Sequence, residues 1–266
     1  MNLLWEAISS GLLVGLALGL TGGGGSILAV PLLLYGLGFD LRGAVTVSLA
    51  VVGLTSLFGA VLQRTTVFWR AGAVLGAGGI FGAPLGAWLG RTLPETVVLL
   101  LFAGLMIFIA LRFLRGGGSA TEVPLSRFSC GIEPGETRPR FHASCAGKLI
   151  VAGAGAGVLA GMFGVGGGFL LVPALMTVAS LPLQAALSTS LLSIAILSAV
   201  SFLANQSADL VIAWDTAALF MVGAFVGMVI GTATKRHVPT LWLRRTFALS
   251  VLAIALAIIL QTLALP

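Results

Sequence analysis

Charge is what this 266-residue chain has least of. Only 8% of its residues are charged, against roughly 25% in a typical soluble domain. Its 14 basic and eight acidic residues all lie at or between the ends of long apolar stretches. A proton-coupled pump ordinarily places an ionisable group at membrane depth, so the pattern excludes an embedded proton relay. It also argues against an enzyme working at that depth, which would need a nucleophile, an acid–base pair or a metal set. Cysteine is nearly as scarce: Cys130 and Cys145 are the only two, in one polar stretch with His142. A C-x14-C spacing with one histidine matches no zinc pattern, so neither metal nor cofactor is expected. In a cytoplasmic loop both would stay thiols. The opening "MNLLWEAISS" has no Lys or Arg ahead of its apolar run, which speaks against a cleaved signal peptide.

What the chain does have is apolar length. Fifty-eight per cent of its residues are hydrophobic, and its mean hydropathy is +1.13. Apolar segments fall at about 3–36, 43–62, 71–90, 95–114, 148–180, 183–204, 215–235 and 240–264, most of them near the roughly 20 residues that a transmembrane helix needs. The expected fold is an all-α integral membrane protein, with lipid around it and no nucleic-acid partner.

The series of four segments occurs twice. At a shift of 142, Gly11, Gly15, Gly19, Gly22, Gly24, Gly25 and Pro31 meet Gly153, Gly157, Gly161, Gly164, Gly166, Gly167 and Pro173. Further on the shift becomes 145, and Trp69, Gly78, Gly82, Gly86 and Pro94 meet Trp214, Gly223, Gly227, Gly231 and Pro239. One three-residue insertion near "NQSAD" accounts for the change. An internal duplication follows, with a first membrane repeat at 1–114, a loop at 115–147 and a second membrane repeat at 148–266.

Residues 3–36 would make a helix of about 51 Å, well beyond a hydrocarbon core of about 30 Å. The segment must bend or break, and "GGGGS" at 22–26 is the natural place. If it re-enters, each half crosses the membrane an odd number of times and the halves are inverted. The chain then carries 12 basic residues on one side and only Arg42 and Arg91 on the other. A simple eight-span arrangement divides them eight to six, which orients nothing. The expectation is inverted repeats, both termini outside and the 115–147 loop in the cytoplasm.

Each break should expose the N–H groups that begin the next helical piece. With the helix dipole, such donors make an anion site, and broken helices in corresponding positions of two halves mark a transporter's binding site. Gly24, Gly25 and Ser26, with Gly166, Gly167 and Gly168, are therefore candidate substrate contacts. Gly78, Gly82 and Gly86, with Gly223, Gly227 and Gly231, are spaced by four on one helix face and read as packing positions. Hydroxyls on the second segment of each half offer neutral donors for an oxyanion: Thr46 and Ser48, then Ser188, Thr189 and Ser190. Back-bonding to the preceding turn is the competing reading for these, and it is taken for Thr55, Ser56, Ser193 and Ser198. Gln63 and Asn205 correspond near the end of that segment, as helix caps or as donors at a cavity mouth. Trp69 and Trp214 are read as interfacial aromatics.

The elements "GLTGGGGSILAVPLLL" and "GVLAGMFGVGGGFLLVPAL", with the later "GAPLGAWLG" and "VGAFVGMVIG", resemble the sulfite exporter TauE/SafE family of membrane permeases. The resemblance covers nearly all of the chain outside 115–147. It implies a bacterial or archaeal inner-membrane transporter of small sulfur-containing anions, such as sulfite or organosulfonates. Export is favoured, because a potential negative inside drives anions outward without coupling. The alternatives are cation-coupled uptake of a related anion, a channel, or a membrane scaffold that transports nothing. A homodimer is a further expectation.

Overall fold

The structure is a computed structural model that describes residues 2–115, 143–179, 181–206, 213–234, 248–249 and 251–260. The side chains of 2–3, 112–115, 143–145, Phe169, Thr177 and Leu183 are not described. Cys130, His142 and most of the 115–147 loop lie outside the described residues, and Cys145 is described only in its backbone.

Every regular element among the described residues is helical. Helix α1 is Asn2–Thr21, and α2 is Ser26–Pro31, which continues through a π-helical turn, Leu32–Gly36. Helices α3 (Leu41–Leu62), α4 (Trp69–Thr92) and α5 (Glu95–Arg115) complete the first half. The second half holds α6 (Ala143–Phe163), α7 (Gly168–Thr177), α8 (Leu183–Asn205) and α9 (Trp214–Thr234), followed by α10 (Val251–Leu260). Six of these, α1, α3, α4, α6, α8 and α9, are long and apolar enough to cross a membrane.

The halves interlock by exchanging their first helices. Helix α1 packs along α9, and α6 packs along α4. Glycine makes both seams possible. A Cβ on Gly78, Gly82 or Gly86 would land on the carbonyl oxygens of Ile150, Ala154 and Val158. On the other seam, Gly223, Gly227 and Gly231 press in the same way on Ile8, Leu12 and Leu16. The partners themselves correspond at the shift of 142. Gly11 and Gly15 face Phe220 and Ala224 across one seam, while Gly153 and Gly161 face Leu75 and Ala83 across the other. Backbones this close gain dispersion contacts that bulkier residues would forbid, which lipid-immersed helices rely on.

The central helices α3 and α8 run antiparallel. At one end the Ser188 hydroxyl donates to the Thr66 carbonyl at 3.0 Å, and the Phe68 N–H donates to the Thr189 hydroxyl at 3.0 Å. Midway, a Cβ on Gly53 would lie 3.0 Å from the Ser198 Cβ. At the far end Asp40 and Arg42 share a cavity with Asn205. These ends define an Arg42 face and a Gln63 face of the bundle.

The chain turns back on itself within each first segment. After Thr21 the backbone bends through Gly22, whose φ is +68°. Gly25 packs on Val14 and Leu18, and a Cβ on Gly36 would lie 3.9 Å from the Ser10 hydroxyl. In the second half Gly167 packs likewise on Ala156, the counterpart of Val14. Trp69 and Trp214 open α4 and α9 half-exposed, as aromatics at a membrane–water boundary would be.

Candidate functional site

The two turning points meet in the middle of the bundle. A Cβ on Gly168 would lie 2.7 Å from the Gly23 Cα and carbonyl oxygen. A Cβ on Gly166 would lie 3.0 Å from Ile194 and from the Ser198 hydroxyl, and 3.2 Å from Val52. Residues 52 and 194 are the midpoints of α3 and α8, so this junction sits at half-depth.

Although equivalent in sequence position, the two breaks differ in their hydrogen bonding. In the first, the Gly24 N–H donates to the Thr21 hydroxyl at 2.9 Å. The N–H groups of Ser26, Ile27 and Leu28 reach the carbonyls of Gly23, Gly24 and Gly25 at 3.4, 3.2 and 3.1 Å. The Ser26 hydroxyl also donates to Gly23, at 2.7 Å. The expectation of free donors at the start of α2 is therefore met only at Gly25, whose N–H finds no acceptor among the described residues, and not at Gly24 or Ser26.

The second break stays open. Gly164, Gly166 and Gly167 all take positive φ, +70°, +64° and +66°, which only glycine adopts cheaply. Leu170 returns to the Gly167 carbonyl at 3.0 Å, but among the described residues the N–H groups of Gly166, Gly167 and Gly168 find no acceptor. One reason lies in a substitution between the repeats. Thr21, whose hydroxyl accepts from the Gly24 N–H, is Phe163 in the second half. Phe163 offers the Gly166 N–H no such acceptor, and the hydroxyl with which Ser26 braces the Gly23 carbonyl is also lost, at Gly168.

The hydroxyls predicted as oxyanion donors are mostly committed elsewhere. Ser48 donates to the Gly164 carbonyl at 2.8 Å, and its counterpart Ser190 donates to the Gly22 carbonyl. This pair clamps each break to the central helix of the other half. Thr46 back-bonds to Arg42 at 2.9 Å. Ser188 bonds to Thr66 and back to Gln184, and Thr189 accepts from Phe68. Asn205 donates to Gly161 and Ser201, both at 2.9 Å. Gln63 ends α3 with its side-chain nitrogen buried and unpartnered.

Sequence reasoning missed the hydroxyls that are free. Thr55, Ser56, Ser198 and Ser201 are fully buried, and among the described residues none of their hydroxyl oxygens has a hydrogen-bond partner. The reading of Thr55, Ser56 and Ser198 as back-bonded is thereby corrected. A buried polar atom left unpaired costs about 1–3 kcal/mol, so four in two adjoining helices are unusual. The signal that could have found them is their register, since Ser56 and Ser198 correspond at the shift of 142.

On the Arg42 face lies a cavity of about 260 Å³, walled by Asp40, Arg42, Arg91, Glu95, Met162 and Asn205 among others. Two guanidinium and two carboxylate side chains thus surround its mouth.

Residues 7–258 match the family described as "Sulfite exporter TauE/SafE". The chain belongs to the sulfite exporter TauE/SafE family. A "Probable membrane transporter protein" of Xylella fastidiosa (strain Temecula1) is 36% identical, over 95% of this chain and 93% of that protein. YunE of Bacillus subtilis, likewise a probable membrane transporter protein, is 29% identical over 86% of this chain and 88% of its own length. MamO of Paramagnetospirillum magneticum is 29% identical over 92% of this chain, which spans 43% of that longer protein. No solved structure gives a significant match. This TauE/SafE chain is accordingly a multi-pass membrane protein of a bacterial transporter family.

Proposed function

We propose that the protein exports a small sulfur-containing anion, such as sulfite or an organosulfonate, across the cytoplasmic membrane. The observation that carries this reading is the open second break. Three consecutive N–H groups, Gly166 to Gly168, lie unpaired at the start of a ten-residue helix, beside the unpaired Ser198 hydroxyl. Such a cluster suits an oxyanion, and its neutrality allows release. Gly24 and Ser26 contribute the opposing wall rather than donors, and Gly25 keeps one N–H available. Thr46, Ser48, Ser188, Thr189 and Ser190 brace the surroundings, and Gln63 and Asn205 mark the two mouths.

The two membrane repeats, 1–114 and 148–266, are read as inverted about the midplane, joined by a cytoplasmic 115–147 loop. The antiparallel course of the equivalent helices α3 and α8 supports this, as does the folding back of each first segment. The 12-to-2 division of basic residues then puts the Arg42 face and both termini outside. In such halves the re-entrant pieces hold substrate while the surrounding helices rock. A potential of 100 mV, negative inside, is worth about 2.3 kcal/mol per charge moved, so it drives anions outward without a coupling ion.

The test is efflux of labelled sulfite from proteoliposomes under an imposed potassium-diffusion potential, with methanesulfonate as competitor. Saturable efflux that accelerates with interior-negative potential and falls with competitor is expected. Uptake that requires a sodium or proton gradient would instead establish a coupled importer.

A further inference from the structure

Polar side chains form a row along each central helix. Ser198, Ser201 and Asn205 stand at i, i+3 and i+7 on α8, which places them on one face of the helix. The row begins beside Gly166 at half-depth and ends at Asn205, in the wall of the Arg42-face cavity. The matching row on α3 is Ser56, Gly59 and Gln63, at the shift of 142. There the Ser56 hydroxyl, like that of Ser198, is buried without a partner among the described residues, and so is the Gln63 side-chain nitrogen, whereas Asn205 is bonded. Because α3 and α8 are antiparallel, the two rows lead from the centre to opposite faces.

They differ at the middle position. Ser201 on one row is Gly59 on the other, and the Met228 methyl lies so close over Gly59 that a Cβ there would overlap it. Met228 is itself fully buried. Its counterpart at the shift of 145 is Ala83, which has no side chain beyond Cβ with which to cover Ser201. The Gln63-face row is therefore covered by Met228 at its middle position, while the Arg42-face row carries a hydroxyl there and ends in the wall of the cavity.

Resting on the anion-transport reading above, we infer that the Ser198–Ser201–Asn205 face of α8 is the anion's route between the second break and the Arg42/Arg91 cavity, and that Met228 seated on Gly59 closes the equivalent route to the opposite face. Buried hydroxyls without partners persist where a transient occupant, water or ligand, satisfies them. Hydroxyls solvate a passing anion without trapping it as a fixed cation would. At the mouth, Arg42 and Arg91 raise the local concentration of anions, while Asp40 and Glu95 oppose tight retention there.

The experiment uses the full chain with Cys130 and Cys145 replaced by serine and one cysteine introduced, as Ser201→Cys, Ser198→Cys or Ser56→Cys. The probe is the anionic, membrane-impermeant thiol reagent sulfonatoethyl methanethiosulfonate, added to one face of sealed vesicles of known orientation. The expected result is that Ser201→Cys and Ser198→Cys react from the Arg42 face and that methanesulfonate slows them. Ser56→Cys should react about tenfold more slowly from the Gln63 face, and Met228→Ala should restore about that factor. Inert cysteines at 198 and 201 in protein that still carries anion flux would overturn the route and leave the anion reading standing. A Ser56→Cys rate indifferent to Met228→Ala would overturn the plug. Labelling at 201 that methanesulfonate does not slow, in folded protein with no anion flux, would overturn the anion reading itself.

Discussion

The Ser48 hydroxyl donates to the carbonyl oxygen of Gly164, 2.8 Å away in space and 116 residues away in sequence. Ser190 does the same for Gly22, so each half of the chain braces the break of the other. The bond explains how an irregular backbone survives in the middle of an apolar bundle. A carbonyl released by a broken helix is expensive in hydrocarbon, and a hydroxyl from the partner half replaces the lost donor.

Replacing Ser48 or Ser190 with alanine should strand a buried carbonyl. A loss of about 1–3 kcal/mol is expected for each, read as a lower unfolding temperature in detergent. The double variant should lose more than either single one and should also lose transport.

The seams between halves should tolerate nothing larger than glycine. Gly82→Leu or Gly227→Leu would drive a side chain into the carbonyl of Ala154 or Leu12. Separated helices and loss of folded protein, measured by monodisperse yield, are expected. Gly104 in α5 is the control, because a Cβ there meets nothing within 4 Å. Gly104→Ala should be neutral or stabilising by up to about 1 kcal/mol, from helix propensity alone.

Thr21→Val should uncap the first break without touching the second. The Gly24 N–H loses its acceptor, so stability should fall by about 1–3 kcal/mol. Transport by the folded fraction should persist, since the proposed donors are those of Gly166 to Gly168. Loss of flux in stably folded Thr21→Val protein would shift the site toward the first break.

The duplication and its packing glycines were legible from residue spacing because both are matters of register. Once Gly78, Gly82 and Gly86 align with Gly223, Gly227 and Gly231, a shared seam follows, and α4 and α9 carry it. The hydroxyls were not legible in the same way. Ser48 and Ser198 look alike in sequence, each a hydroxyl on an apolar segment. Which one is satisfied depends on a carbonyl brought close only by the tertiary fold. The inequality of the breaks was written in the sequence, at Thr21 against Phe163, but reading it required knowing that the Thr21 hydroxyl accepts from the Gly24 N–H. A larger residue at Gly25 would disturb folding as well as the site, since a Cβ there meets the backbone of Val14 and Leu18.

The most direct test of the central claim is anion-dependent thermal stabilisation of the wild type beside Gly166→Ala. A Cβ at Gly166 is strained at its φ of +64°, by about 1–2 kcal/mol, and crowds the Ser198 hydroxyl at 3.0 Å. Folded Gly166→Ala protein should therefore start at a slightly lower unfolding temperature. Sulfite at about 100 times its dissociation constant should stabilise the wild type by about 2.7 kcal/mol and leave Gly166→Ala unmoved. Equal stabilisation of both proteins would contradict an anion site at the second break.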